Sequence, residues 1–494
     1  MKNLKYFFLT CIFLCSTLSE MVQAQQPTDF LSSEFHQDRR EVLRSKMPQN
    51  SVAVFFSNAV RNRANDVDYK YHQDPNFYYL TGQMAPHGLL MIFSEEQEAN
   101  GKRFKEILFV RGRNALKELY EGARFSPEEA AAKMDMELVF QTPDFKDFAI
   151  DFGKFKQVIF EDFKEDVRNT NEEGDLYDLI AQFKSKVNYP DTKNLNIEPE
   201  PQPNNLNTTL LKELMASMRG IKTAEEIVLL RKAVKISSLG QAEVMRAMQP
   251  GMSEMEVQGM HEFIFKKYKA EYEGYPSIVG SGHNGCVLHY IDNYKPEIED
   301  GELILMDLGA EYHGYTADVT RTIPVNGKFT PEQKQIYDLV YRAQEAAMAI
   351  AKPGVSFAAL YDTTLAVVNK GLLALGLFKS LDAKDLINPA TGRNWFYPHG
   401  CCHHIGLDVH DLGTYGLLEA GMVITIEPGI YIPAGSNCDE KWWDIPVRIE
   451  DDYLITTDGI ELLSDDAPRK SSEIEALMKE VSAFEQFNLP TLED

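Results

Sequence analysis

Basic residues are scarce in this chain. Its 494 residues contain 50 Lys and Arg against 75 Asp and Glu, which gives a formal net charge of −25 at pH 7. Proteins that bind nucleic acid depend on clustered Lys and Arg to contact the phosphates. The charge balance therefore argues against a nucleic-acid partner, and it is compatible with cationic ligands such as peptide N-termini.

Long apolar runs are also lacking, apart from one near the N-terminus. Two lysines precede an apolar stretch over residues 6–18, which is too short to span a bilayer, and a small-x-small sequence follows at 22–24. We interpret residues 1–24 as a signal peptide. The mature protein is therefore expected to be exported, either periplasmic or secreted, and to lack a membrane anchor.

Cysteine is scarce as well. Six are present, and four remain once residues 1–24 are removed: Cys286, Cys401, Cys402 and Cys438. Their spacing matches no disulfide framework and no C-x-x-C zinc motif. Cys401 and Cys402 are adjacent and poorly placed to bridge each other, so we expect free thiols close to the functional site.

The apolar residues that are present indicate an α/β (α+β) fold class. Short apolar runs alternate with helical stretches in the first part of the chain, which is typical of an α/β domain with a mixed sheet. Helical patterns then lead into strand-like segments with glycine turns. The apolar runs of the first part occupy residues 51–56, 88–93, 106–111 and 157–162.

A proline-rich segment over 189–207 divides the chain. We predict an N-terminal α/β domain over 28–205, a second domain over 206–465 and a C-terminal tail over 466–494. In the second domain, Thr223 followed by Glu226 predicts a capping box at the start of a long helix. Further helices are predicted from Ser253 towards Lys269, near 331–351 and 356–376, and over 471–487.

Four acidic residues and one histidine in glycine-rich, strand-like segments form a candidate metal site. Four carboxylates cannot be buried together without cations. An oxygen-rich donor set with a single imidazole suits Mn²⁺, or another hard-to-borderline divalent ion, better than structural zinc. Five protein ligands are enough for two ions if some of them bridge. The candidate ligands are Asp307, Asp318, His403, Glu427 and Glu450.

Asp307 and Asp318 lie in two predicted strands joined by a turn. If this hairpin is centred between Tyr312 and His313, the two aspartates are cross-strand neighbours, with Cβ atoms roughly 4.5–5.5 Å apart. They would repel each other without a cation between them. In another predicted strand, Arg448 precedes Glu450 by two residues and therefore shares its face.

The order Asp–Asp–His–Glu–Glu in these segments resembles the pita-bread metallopeptidases, which include aminopeptidase P, prolidase and methionine aminopeptidase. The segments MDLGAEYHGYTADVTRTI, HGCCHHIGLDVHD and VITIEPGIY carry this resemblance. It extends over most of residues 215–465. A fainter match in 69–82 and 106–114 is similar to the N-terminal domain of bacterial aminopeptidase P and argues against methionine aminopeptidase.

The resemblance implies a pita-bread catalytic domain that hydrolyses the bond between an N-terminal residue and a following proline. It implies two divalent metal ions as cofactors, Mn²⁺ being favoured, and substrates with proline at the second position. It also implies a homo-oligomer, dimer or tetramer, in which Tyr120 contributes to a neighbouring subunit's site. Prolidase, which cuts only dipeptides, is the alternative. A metal-free relative is disfavoured because the ligand set is complete.

The resemblance also assigns roles to the candidate ligands. Asp307 is expected to chelate one ion, and Asp318 and Glu450 to bridge both ions. His403 and Glu427 complete the second ion's ligands, His403 being selected over its neighbour by the HG-x-x-H spacing.

Further roles follow around the ligands. Glu427 is the expected proton acceptor from the attacking water. His289, His399 and His410 are expected to line the site and hold substrate and developing charge. Arg448 is expected to support Glu450 and the pocket for the proline ring.

Overall fold

The structure is a computed structural model that describes residues 29–99, 101–164, 166–190 and 205–485. The expected signal peptide, most of the proline-rich segment and the last residues of the tail lie outside these ranges. From Ser33 onward, the described chain forms one compact unit. None of the helices in the described ranges has the length and apolar character needed to cross a membrane.

A mixed six-stranded sheet organises the N-terminal part. Its strand Ser51–Phe56 pairs antiparallel with Leu89–Ala99 on one side and parallel with Gln157–Ile159 on the other. The mixed sheet predicted from the apolar runs is therefore confirmed. The order across the sheet is Val139–Gln141, Lys102–Val110, Leu89–Ala99, Ser51–Phe56, Gln157–Ile159 and Leu206–Asn207.

Short helices accompany this sheet, and its core is rich in phenylalanine. Phe93, Phe109 and Phe160 are fully buried in one cluster, where edge-to-face contacts with neighbouring rings add to the area that they bury. A small hairpin pairs Asn62–Ala64 with Val67–Asp68. The helices are Ser33–Lys46, Pro75–Thr81, Ala115–Glu121, Pro127–Met134 and Leu176–Lys186, with 3₁₀ turns at Thr142–Phe145 and Phe152–Lys154.

The following part contains the longer helices. Thr223 accepts a hydrogen bond from the Glu226 N–H, and the Glu226 side chain accepts one from the Thr223 N–H, so the predicted capping box is confirmed. The terminal helix ends at Leu477, short of the predicted Phe487. The helices are Leu210–Arg219, Ala224–Ala247, Glu254–Lys267, Pro331–Ile350, Phe357–Ala374, Ala383–Leu386 and Ser471–Leu477.

Strands in this part form small sheets rather than one large one. The three-stranded sheets are Ile278–Ser281, Leu303–Leu308 and Val319–Pro324; Tyr315–Thr316, Ala310–Tyr312 and Tyr272–Glu273; and Val423–Ile426, Asp451–Ile455 and Ile460–Leu462. The two-stranded sheets are Gly429–Ile432 with Ile445–Arg448, and Ile387–Asn388 with Arg393–Asn394. Two long hairpins, over residues 303–324 and 423–455, therefore each pass from one small sheet into another. In each hairpin the strand ladder is interrupted where the chain passes between the two sheets.

A buried glutamine supports the backbone at each interruption. Gln241, on the helix Ala224–Ala247, donates from Nε2 to the carbonyls of Met306 and Val319 over 3.0 and 2.7 Å. Gln344, on the helix Pro331–Ile350, donates to the carbonyl of Ile426 over 3.0 Å. Carbonyls that leave a strand ladder in the core need such donors, because an unpaired buried polar group is costly.

Arg219 ties the N-terminal part to the segment that carries the candidate histidines. It is 1% exposed and donates from Nη1 to Asn76 Oδ1 over 2.8 Å. Its Nη2 donates to Asp408 Oδ2 over 2.8 Å and also contacts Asp411. Burying this guanidinium is tolerable only because carboxylates meet it, so the contact fixes the 399–411 segment against the helix Pro75–Thr81.

Replacing Gln241 by Ala should destabilise the protein by about 1–3 kcal/mol, because two buried carbonyls lose their donor. The measurement is the urea midpoint of the protein after chelation. Val228→Ala, at a 63% exposed position of the same helix, is the matched control and should stay within about 0.5 kcal/mol of the original protein. Equal midpoints for the two variants would contradict this role for Gln241.

Candidate metal centre

Three of the four candidate carboxylates lie at the interruptions of the two hairpins, and Asp307 lies within the strand Leu303–Leu308 next to one of them. Glu427 follows the strand Val423–Ile426, and Glu450 precedes Asp451–Ile455. The ladder pairs Ile426 with Asp451 before the gap and Gly429 with Arg448 after it, which leaves Glu427 opposite Glu450 within the gap. Residues directly opposite each other in an antiparallel pair project to the same side, so these two carboxylates share one face.

Asp307 and Asp318 occupy the other hairpin in a different register from the predicted one. Asp307 is paired with Thr320, two residues beyond Asp318, so the expectation of direct cross-strand neighbours is wrong. The turn is centred between His313 and Gly314, which have φ of 52° and 87°. A two-residue type I′ turn needs positive φ at both central residues, and this glycine supplies the permissive second position.

The two aspartates nevertheless share one face of the hairpin, because Asp318 lies diagonally from Asp307 rather than opposite it. Both carboxylates contact one hydroxyl: Tyr275 Oη lies 2.6 Å from Asp307 Oδ1 and 2.6 Å from Asp318 Oδ1. A hydroxyl has one proton, so it can donate to only one carboxylate at a time. The second contact requires a protonated carboxyl group or a cation in between.

His403 reaches the carboxylates from the third segment. Its Nδ1 donates to the carbonyl of His404 over 2.9 Å, so Nε2 is the ring nitrogen that faces the carboxylates. That Nε2 lies 3.4 Å from Asp318 Oδ2 and 3.8 Å from Glu450 Oε1. A histidine held by a backbone carbonyl in this way is oriented as a metal ligand.

Asp318, His403 and Glu450 form the tightest group, since each offers a ligand atom within 4.8 Å of the others and all three are buried. Glu427 joins this group, its Oε1 lying 3.7 Å from His403 Nε2. Asp307 is held at the edge of the cluster through Tyr275. The structure therefore places all five predicted ligands in one cluster.

The cluster has the electrostatics of a site built for cations. Burial, together with the charges of Asp318 and Glu427, raises the pKa of Glu450 well above its usual range. Burial and the neighbouring Asp307 likewise raise the pKa of Asp318. Although burial acts in the opposite direction, the hydrogen bond that His403 donates to Asp318 raises the pKa of His403 to about 9. These carboxylates take up protons in the absence of metal, so the donor set fits a divalent cation.

Arg448 lies against the cluster, as predicted for a supporting residue. It is buried; its Nη2 contacts Asp307 Oδ2, and its Nε lies 3.8 Å from Glu450 Oε2. Although burial acts in the opposite direction, the charge of Arg448 lowers the pKa of Asp307. Its Nη1 also donates to the hydroxyl of Tyr431 over 2.8 Å.

The three further histidines lie at different depths. His399 is held by two contacts, since its Nδ1 donates to the Gly400 carbonyl over 2.7 Å and its Nε2 accepts from Tyr431 Oη over 2.9 Å. Burial and the charge of Arg448 lower the pKa of His399 to about 3, so its ring is neutral. The ring of His410 stacks on the ring of His403, with the ring centres 4.1 Å apart. His410 and His289 are both exposed to solvent.

Sequence reasoning missed three residues that shape the site. Tyr275 bridges two ligands across 32 and 43 residues of chain, and no local pattern marks it. Thr320 donates from Oγ1 to Glu450 Oε2 over 2.7 Å. Asp452 accepts from the Asp318 N–H over 3.0 Å, and burial raises its pKa well above the usual range. Asp452 could have been found from the sequence, because it is an acidic residue two positions after Glu450 and therefore lies on the same face of the strand.

Comparisons with known proteins agree with this arrangement. Residues 228–457 match the model of metallopeptidase family M24, and residues 36–159 match the aminopeptidase P N-terminal domain. The chain is similar to the Xaa-Pro aminopeptidase of Escherichia coli, with 34% identity over 91% of this chain and 98% of that protein. It is also similar to the Xaa-Pro aminopeptidase of Haemophilus influenzae, with 35% identity over 91% and 98%.

Solved structures give the same result. The aminopeptidase P of Escherichia coli with the inhibitor Pro-Leu superposes with a TM-score of 0.78 and 32% identity, covering 91% of this chain and 98% of that one. An aminopeptidase from Pseudomonas aeruginosa superposes with a TM-score of 0.78 and 33% identity, covering 91% and 99%. The predicted arrangement of an N-terminal α/β domain and a C-terminal pita-bread domain is confirmed.

Replacing Tyr275 by Phe should weaken divalent-ion binding by about 10- to 100-fold, because the hydroxyl that orients two ligands is removed. The measurement is calorimetric titration of Mn²⁺ into the chelated protein. Tyr268→Phe, at a 45% exposed tyrosine, is the control and should bind like the original protein. Unchanged affinity in Tyr275→Phe would show that the bridging contact does not orient the ligands.

Proposed function

The chain belongs to metallopeptidase family M24, in the group with an aminopeptidase P N-terminal domain, and we propose how its buried cluster serves that chemistry. The protein is a Xaa-Pro aminopeptidase: it hydrolyses the bond between an N-terminal residue and a following proline. The observation that carries this conclusion is a buried Asp–His–Glu cluster in a chain that matches Xaa-Pro aminopeptidases over nine-tenths of its length.

The cluster binds divalent metal. Its five candidate ligands are proposed to have the roles that the sequence resemblance implies. Asp307 would hold one ion, Asp318 and Glu450 would be shared by both ions, and His403 and Glu427 would complete the second set. An oxygen-rich set with one imidazole supports Mn²⁺ as the ion. When bound, the ions supply polarisation of the scissile carbonyl and activation of water for attack on it.

Glu427 is proposed to accept the proton of the attacking water. Its side chain is 18% exposed, so it is reachable from the solvent side of the cluster. Burial raises the pKa of Glu427 to about 7. A carboxylate at the reachable edge of the cluster can take a proton from a water molecule and pass it on.

His399, His410 and His289 are proposed to contact the substrate. The exposed rings of His289 and His410 lie at the open side of the cluster, where a peptide enters. His399 has both ring nitrogens hydrogen-bonded, to Gly400 and to Tyr431, so its neutral ring offers the substrate an uncharged wall beside Arg448. Arg448 itself fixes Asp307 and Tyr431, which keeps the wall of the site rigid while substrate binds.

The preference for proline has a physical basis. An Xaa-Pro bond is a tertiary amide without an N–H, and the ring fixes φ. Peptidases that recognise that N–H or require an extended backbone bind such a bond poorly. A site that holds the free amine and polarises the carbonyl by cations does not need the missing N–H.

The purified enzyme should release alanine from Ala-Pro-Ala-Ala and leave Ala-Ala-Ala-Ala uncut, with chelation abolishing activity and Mn²⁺ restoring it. Glu427→Gln should lower kcat by at least about 100-fold, because the proton acceptor is lost. The measurement is release of the N-terminal amino acid, with the metal content of each variant determined in parallel.

The control for this variant is Glu419→Gln at an exposed position, which should keep full activity. Cleavage of Ala-Pro alone, with the tetrapeptide left intact, would identify a prolidase instead. Failure to cleave either proline peptide with Mn²⁺ restored would contradict the proposed function.

We propose that the enzyme assembles as a dimer or tetramer through the helix Ala115–Glu121. Leu116, Leu119 and Tyr120 on this helix are 66%, 76% and 80% exposed. Three large apolar side chains on two turns of an exposed helix are typical of an interface. Tyr120 is proposed to reach the site of a neighbouring subunit.

Tyr120→Asp should shift the protein towards monomer, because a carboxylate is introduced into an apolar contact. The measurement is light scattering coupled to size exclusion, with Tyr177→Asp, at a 45% exposed tyrosine elsewhere in the N-terminal part, as the control. If the original protein is itself a fully active monomer, the proposed assembly is wrong.

Two further proposals concern the ends and the boundaries of the chain. Residues 1–24 are proposed to direct export, on the evidence of their charge and apolar pattern. The boundary predicted at residue 205 is proposed to lie two residues later, because the strand Leu206–Asn207 still pairs with Gln157–Ile159 in the N-terminal sheet.

A further inference from the structure

Two adjacent thiols lie directly beside the metal centre. Cys401 and Cys402 precede the ligand His403, and their sulfur atoms are 3.4 Å apart. Cys401 is 1% exposed, whereas Cys402 is partly exposed. Both are free thiols, so the pair is a reduced vicinal dithiol with one accessible member and one buried member.

The backbone of this pair holds two of the predicted ligands. The N–H of Glu427 donates to the carbonyl of Cys401 over 2.7 Å, and the N–H of Thr425 donates to the carbonyl of His403 over 2.9 Å. The segment 401–403 thus runs antiparallel beside the residues that lead to Glu427. A change in the 401–402 peptide is transmitted to both His403 and Glu427.

We propose that Cys401 and Cys402 form a modification site for low-molecular-weight disulfides, and that closing a vicinal disulfide there disables the adjacent metal centre. The proposal rests on the proposed function, because the modification acts through His403 and Glu427. It assigns a chemical role to the two cysteines that the peptidase reaction itself does not use.

The chemistry is an exchange of one disulfide for another. The sulfur of the accessible Cys402 attacks the reagent disulfide, and the first reagent thiol leaves. The sulfur of Cys401 then attacks Cys402 in this mixed disulfide, and the second reagent thiol leaves. The two cysteines lose two protons and two electrons, and the reagent gains them as two thiols.

Closure requires a local distortion. The sulfur atoms must approach from 3.4 Å to about 2.05 Å, within a ring that contains the 401–402 peptide. Twisting the 401–402 peptide out of its plane is costly. Closure therefore shifts the Cys401 carbonyl, which accepts the hydrogen bond from the Glu427 N–H. A strained, partly exposed disulfide is easily reduced, which makes the modification reversible.

The other cysteines of the chain provide internal controls. Cys286 and Cys438 are free and partly exposed. A mixed disulfide formed on either of them has no neighbouring thiol, in the described part of the chain, to displace the reagent. Within the described residues, Cys401 and Cys402 form the one thiol–thiol contact.

The test treats the full-length enzyme with oxidised glutathione and measures three properties. Intact mass and peptide mapping should show the loss of two hydrogen atoms within the peptide that contains 401–402. Calorimetry should show Mn²⁺ affinity lowered by at least about tenfold, and peptidase activity should fall in parallel. Dithiothreitol should restore all three properties.

Cys402→Ser should show neither the mass change nor the loss of Mn²⁺ affinity, whereas Cys438→Ser should respond like the original protein. If Cys402→Ser does not fold, phenylarsine oxide replaces it as the probe, since one molecule should bind per reduced chain and none after oxidation. A disulfide between other cysteines, no mass change, or a 401–402 disulfide with unchanged Mn²⁺ affinity would each overturn the inference. A reduced protein that fails to bind Mn²⁺ would instead contradict the proposed function.

Discussion

Mutual repulsion among buried carboxylates is the constraint on which this structure depends. Asp307, Asp318 and Glu450 are 7%, 4% and 2% exposed, and Glu427 faces the same point. Such groups are stable together only if protons or cations neutralise them. The raised pKa of Glu450 and of His403 indicates that protons are taken up without metal. Bound cations would release those protons and convert an electrostatic cost into an attraction.

The scaffold meets this constraint through two interrupted hairpins. A continuous ladder would point successive side chains to opposite faces, whereas the interruptions at Asp318 and at Glu427 with Glu450 let several acids converge. Gln241 and Gln344 hold the backbone at the two interruptions, each from a long helix. Arg219 fixes the segment that brings His403 to the same point.

Sequence predicted which residues cluster better than it predicted how they meet. The motif segments indicated all five residues, and the periodicity indicated the mixed sheet and the capping box at Thr223. The hairpin register was wrong by two residues because His313 adopts positive φ, which is uncommon for a residue with a side chain. Tyr275 was missed because its two contacts are long-range, and such contacts leave no local period in the sequence.

The central claim is that this acidic cluster is a two-cation site. Crystals of the chelated protein soaked in Mn²⁺ and measured at the manganese absorption edge test it most directly. Two anomalous peaks about 3.5–4 Å apart are expected, with Asp318 and Glu450 lying next to both. A map with no peak at these carboxylates, or with Mn²⁺ bound elsewhere on the molecule, would contradict it.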